Sequence, residues 1–193
     1  MNTTSTSLLE RLRHPAPADT DWRRLHDLYR PLIRAWLTRI PGLTREIDDL
    51  TQDVFVVVVR ELPEFHRQRH GSFRAWLRQV TVNRVRAWRR TYRSVAPDDF
   101  RGADGYLSQL EDPASPLAHQ WDREHDRHVF DRLLAAVRPD FTPPTWEAFR
   151  LFALGEGTAT EVAEQTGLSV NAVIVAKSRV LKRLREEAAD LID

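Results

Sequence analysis

The stretch Thr158-Ala-Thr-Glu-Val-Ala-Glu-Gln-Thr-Gly-Leu-Ser-Val-Asn-Ala-Val173 reads as two short helices joined by a tight turn. Gly167 stands where that turn needs a positive φ, and Ser169 can cap the next helix by accepting from a free backbone N–H. Val162, Ala163 and Leu168 are expected to face inward before the turn, and Val170, Val173 and Ile174 after it. Small residues at the crossing let the two helices approach closely, so the second can enter a DNA major groove. That second helix runs on into a basic tail, Lys182-Arg-Leu-Arg-Glu186. The pattern names duplex DNA as a ligand class.

Outward from this motif, apolar periodicity predicts helices at 21–39, 47–62, 73–92, 124–137, 145–155, 159–166 and 170–188. Neither an alternating strand pattern nor an internal repeat emerges, so the expected class is all-α. One segment is ambiguous, because Val54-Phe-Val-Val-Val-Val59 has the β-branched composition of a strand. Asp48 and Asp49 at the start, a stripe of Leu50, Val54, Val57, Val58 and Leu62, and the stop at Pro63 favour helix. Between 94 and 127, Pro97, Gly102, Gly105, Pro113 and Pro116 accompany many acids, the composition of a flexible linker. The expected layout is an N-terminal extension (1–20), a helical domain (21–93), an acidic linker (94–127) and a helix–turn–helix domain (128–193).

Net charge is +1, but it is distributed unevenly. Residues 60–94 hold ten arginines against Glu61 and Glu64, a local +8, whereas 95–127 stand at −5 and 128–193 at −2. A segment at +8 is an electrostatic footprint for a polyanion. On a wheel at about 100° per residue, Phe73, Trp76, Leu77, Val80, Ala87 and Trp88 share one arc, and Arg74, Arg78, Arg86, Arg89, Arg90 and Arg93 share the other. One face is expected to pack and the other to present cations.

Several function classes fall away. With zero cysteines there is no disulfide, thiolate metal site or thiol nucleophile. No run of about 18 apolar residues predicts a membrane span. The start Met1-Asn-Thr-Thr-Ser-Thr-Ser7 lacks the basic and then apolar pattern of a secretory signal, so the expected location is cytoplasmic. Asp48, Asp49 and Asp53 suit a helix start better than a magnesium site, and His119, His125 and His128 lack further zinc ligands. No phosphate loop, nucleophile elbow or metalloprotease motif occurs. The expectation is therefore a non-enzyme with no metal and no cofactor.

Three blocks together resemble the extracytoplasmic-function (ECF) sigma factors of bacterial RNA polymerase. Asp48-Asp-Leu-Thr-Gln-Asp-Val-Phe55 is similar to the family's acidic-Leu-x-Gln-(Glu/Asp)-x-Phe segment, and Phe73-Arg-Ala-Trp-Leu-Arg-Gln-Val-Thr-Val-Asn-Arg84 to its Phe-x-x-Trp-Leu…Asn segment. The third is the helix–turn–helix with its basic tail. The resemblance implies that Asp49, Gln52, Asp53 and Arg60 dock on core RNA polymerase. It also implies that His66, Arg67, Arg69 and His70 in the loop 64–72, with Arg74, Arg78, Asn83 and Arg86, hold the minus-ten promoter element. Capturing an unstacked base needs cations for the backbone and side chains that stack or hydrogen-bond, and that loop offers both. Asn83 lies at the border of the two arcs, placed either to reach a base or to cap a local backbone group.

On the last helix, Ser169, Asn171, Ala172, Val175, Ser178, Arg179, Lys182 and Arg183 are the candidates for the minus-thirty-five element. The first turns would reach base edges, and Arg179, Lys182 and Arg183 would grip phosphates. Where many family members carry Val-Lys-Ser-Arg, this chain has Val173-Ile-Val-Ala176, an apolar departure that fits either contact with thymine methyl groups or a weakly held element. Promoter DNA and polymerase are the implied partners, and the layout would permit an anti-sigma factor to clamp both halves. A different class remains open: a helix–turn–helix repressor or activator whose N-terminal bundle dimerises or senses a ligand. The distant +8 segment favours the first reading, since a dimerising bundle has no use for concentrated arginine.

Overall fold

The computed structural model describes residues 7–65, 72–91, 102–153, 155–188 and 191. Regular structure among them is helical: α1 (Leu8–Leu12), α2 (Asp19–Leu37), α3 (Ile47–Glu61), α4 (Ser72–Thr91), α5 (Ala103–Glu111), α6 (Pro116–Val137), α7 (Pro143–Ala153), α8 (Ala159–Thr166) and α9 (Val170–Ala188). Short 3-10 turns occupy Leu62–Glu64 and Arg138–Asp140. No described helix is long and apolar enough to cross a membrane. The contacts divide the chain into a unit built on Leu8–Val129 and another built on Phe130–Ala189.

In the first unit the valine run is helical. Asp48 and Asp49 lie in the first turn of α3, where negative charge meets the positive end of the helix dipole. Leu50, Val54, Val57 and Val58 are buried, and Pro63 enters the 3-10 turn that ends the helix. Burial on one stripe outweighs the β preference of valine, because period 3.6 brings every third or fourth residue back to the side that faces α2 and α4. From α2, Leu25, Tyr29, Ile33, Trp36 and Leu37 fill the core.

The segment 94–127, expected as a flexible linker, is structured in its described part. α5 and the first half of α6 lie there, with Leu107, Leu110, Ala118 and Trp121 at 1% exposure or less. Trp121 packs against Trp36 with ring centroids 4.5 Å apart and planes tilted by 47°, an aromatic pair that contributes about 1 kcal/mol beyond its burial. Local chemistry explains the start of α6. Asp112 accepts from the Ala114 N–H at 2.9 Å, Ser115 Oγ accepts from the Ala118 N–H at 3.0 Å, and Pro116 occupies the first helical position. An Asx turn, a serine cap and an N1 proline form a helix-start signal, not a linker signal. Acids and prolines give both the same composition.

The second unit holds α7, α8 and α9 around Ala148, Val162, Ala163, Val173 and Ala176. Thr158 opens α8 with a capping box: its hydroxyl accepts from the Glu161 N–H at 3.3 Å, and the Glu161 carboxylate accepts from the Thr158 N–H at 2.7 Å. Gly167 closes α8 at φ 70°, and Ser169 Oγ accepts from the Ala172 N–H at 3.2 Å to open α9. Leu168 packs on this core, but Val170 and Ile174, expected inside, are 41% and 50% exposed. The core here is made of alanine and valine, too narrow to cover a wide apolar arc.

Candidate nucleic-acid interface

The arginine face of α4 does not meet solvent as the wheel predicts. Arg78 is buried; its Nη1 donates to Asp122 at 2.7 Å and to the Ala118 carbonyl at 3.3 Å. Arg74 donates to Asp126 at 2.7 Å and lies 3.6 Å from Asp122. Arg86 pairs with Glu111, and Arg89 with Asp104. Four of the six arginines expected to present cations are thus matched by carboxylates from α5 and α6. Burial lowers the pKa of Arg78, with Arg74 adding to the effect and Asp122 opposing it.

Behind these pairs sits a buried polar cluster. His125 is fully buried, with Nε2 3.2 Å from the Tyr29 hydroxyl and Nδ1 2.9 Å from Asp126. Burial pushes the Asp126 carboxyl up, but the hydrogen bond with His125 and the Arg74 guanidinium outweigh it, leaving a pKa below the ordinary value. His128 Nε2 lies 2.6 Å from the Leu28 carbonyl oxygen. These histidines lock α6 to α2, and among the described residues no cluster converges as a metal site.

What α4 leaves open is a narrower strip: Ala75, Gln79 and Asn83, spaced by four, and Arg90, seven residues further on, are exposed, with Arg86 at their edge. Among the described residues Asn83 caps no backbone group; its Oδ1 accepts from the Gln79 amide at 3.1 Å. His66, Arg67, Arg69 and His70 lie outside the described residues.

On α3, Asp49, Gln52, Asp53 and Arg60 are all exposed and fall on one stripe. Two residues absent from the sequence reading share that side, Val56 at 63% and Val59 at 48% exposure. With Phe55, Gln52 and Thr51 they line a shallow groove against His26 and Arg30 of α2. Asp48, next to this stripe, is held below the ordinary carboxylate range by its hydrogen bond from Arg34.

On α9 the arrangement is the reverse of that on α4. Val173, Ala176, Val180 and Leu184 are buried, while Asn171, Val175, Ser178, Arg179 and Lys182 point outward. Arg179 and Lys182 make no ion pair with described residues. Ala172 is half-buried, and the Ser169 hydroxyl is engaged as a cap. Arg183 turns aside to Asp140 at 2.9 Å and Glu187 at 2.7 Å. Lys177 leans on the Phe152 ring at 4.6 Å.

Residues 25–94 match the Sigma-70 region 2 family. Over that stretch the chain is similar to sigma factors. It is 27% identical over 155 residues to a probable RNA polymerase sigma factor, RfaY, of Xanthomonas campestris pv. campestris. That alignment takes in 79% of this chain and 37% of the relative's length, so the chain spans well under half of that protein.

The sigma-70 region 2 match covers most of α2 and all of α3 and α4, and ends before the helices that neutralise α4. The sequence reading missed Asp104, Glu111, Asp122 and Asp126 as partners of the arginines. Their signal was present in the −5 charge of the segment that follows a +8 one, together with the Ser115-Pro116 start.

Proposed function

We propose that this protein is an ECF-type sigma factor, a subunit that lends promoter specificity to bacterial RNA polymerase and catalyses nothing itself. The reading is carried by one coincidence: a sigma-70 region 2 match over 25–94 and a capped helix–turn–helix at 158–173 in the same chain. Two DNA-directed elements on one chain suit a protein that engages a promoter at two places.

In this proposal the outward stripe of α3 docks on core polymerase. Asp49, Gln52, Asp53 and Arg60 supply a polar rim, and Val56 and Val59 supply the apolar centre that a protein interface requires. The minus-ten element falls to the segment 66–70 and to the open strip of α4 with Asn83 and Arg90. Arg74 and Arg78 hold α6 and so set the position of α4. Upstream, α9 enters the major groove of the minus-thirty-five element, with Asn171, Val175 and Ser178 towards base edges and Arg179 and Lys182 towards phosphates.

Run-off transcription with core polymerase on a promoter library tests the reading. Initiation from a defined promoter class is expected only when the protein is present. A protein that shifts duplex DNA alone but directs no initiation would instead be a helix–turn–helix repressor or activator.

A further inference from the structure

Three β-branched residues, Val170, Ile174 and Val175, stand exposed in the first two turns of α9 at 41%, 50% and 43%. They are surplus to folding, since Val173, Ala176, Val180 and Leu184 already fill the opposite side. At about 100° per residue the buried arc centres opposite Asn171, Ser178 and Lys182. Ile174 flanks that polar centre line on one side and Val175 on the other. Helical β-branched side chains hold essentially one χ1 rotamer, so they present fixed methyl groups at little entropic cost. The cap from Ser169 to the Ala172 N–H fixes the start of the helix that carries them.

Charge and size say what such a face fits. Its only ionic groups up to Lys182 are Arg179 and Lys182, both without an ion pair to described residues, which suits a polyanion. The apolar part is three side chains wide, the scale of individual methyl contacts. On the floor of a DNA major groove the apolar group is the C5-methyl of thymine. Resting on the reading that α9 enters that groove, we propose that Ile174 and Val175 determine specificity by packing against thymine methyl groups of the upstream element.

The test uses holoenzyme reconstituted from the full chain and core polymerase. An upstream element is first selected from a randomised duplex, and each thymine is then replaced singly by deoxyuridine, which removes only the methyl group. At one or two positions the affinity is expected to fall about threefold to tenfold, the worth of one buried methyl contact. Ile174→Ala and Val175→Ala are expected to remove that sensitivity while leaving the melting temperature unchanged, since neither side chain is in the core. Sequence-specific binding that ignores deoxyuridine at every position overturns this proposal but leaves the functional reading standing. The same holds if Ile174→Ala weakens polymerase binding and not DNA binding, which makes the patch a protein contact. Absence of any selected upstream element overturns both.

Discussion

The cations of α4 and those of α9 look alike along the sequence, yet the fold uses them in opposite ways. Arg74, Arg78, Arg86 and Arg89 each face a carboxylate contributed by Asp104, Glu111, Asp122 or Asp126, so half of the +8 of their segment is returned inside the same unit. Arg179 and Lys182 sit in a segment, 128–193, of net charge −2 and nevertheless make no ion pair with described residues. Net charge summed over a window therefore says little about the field a ligand meets. What decides is whether an acid from elsewhere in the chain has already been placed against each cation.

The largest effect that would break this contrast lies at Arg78. Asp122→Ala leaves a guanidinium whose side chain is only 7% exposed without its carboxylate. A cost of about 3–5 kcal/mol is expected in urea unfolding, because an uncompensated buried charge remains. Replacing Arg78 and Asp122 together by leucine is expected to cost less than Asp122→Ala alone. Equal stability of Asp122→Ala and the parent chain would mean that the pair is ornamental and that α4 is free to bind.

On the other helix the expectation inverts. Arg179→Ala leaves stability unchanged and lowers the slope of log affinity against log salt for the upstream element by about one. Arg74→Ala, in contrast, reduces stability and leaves that slope as it was. Matching behaviour of the two variants would erase the distinction between a structural and a ligand-directed cation.

A smaller change should sharpen the comparison from the acid side. Asp104→Asn with Glu111→Gln removes the carboxylates that face Arg89 and Arg86, whose side chains are 26% and 34% exposed. Non-specific DNA retention is then expected to rise, with a salt slope steeper by about one to two. Retention equal to that of the parent chain would show that other groups still shield these arginines.

The least of the four effects concerns pH. The Asp126 carboxyl is depressed in the folded state, so its contribution is complete above the ordinary value of 3.8 and is lost as the pH falls through its lower folded value. Unfolding midpoints followed downward from pH 5 should drop more steeply for the parent chain than for Asp126→Asn. Superimposable profiles would remove Asp126 from the set of groups that hold α6.

Individual elements show where sequence reasoning reached and where it stopped. The valine run of α3 was legible as a helix because Asp48, Asp49 and Pro63 mark its ends within a few residues. Val56 and Val59 were not legible as a surface, since a valine that packs and a valine that does not are the same letter. For Ile174 the failure was of the same kind. It sits at the edge of the apolar arc of α9, and only the narrow alanine-rich contact with α7 and α8 decides that it is left outside.

By itself the sequence determined what depends on neighbours along the chain: the all-helical class, the caps at Thr158 and Ser169, the left-handed Gly167, and the order of the three blocks similar to sigma factors. Backbone geometry and hydrogen bonds over three or four residues set those features, and the residues concerned are adjacent in the string. Tertiary structure alone decided that α5 and α6 are packed helices and that four arginines of α4 are already matched by carboxylates. Those outcomes rest on partners separated by 52 residues for Arg74 and Asp126 and by 100 for Leu28 and His128. Coulomb attraction and burial act through space, and only the folded chain fixes the distances on which they depend.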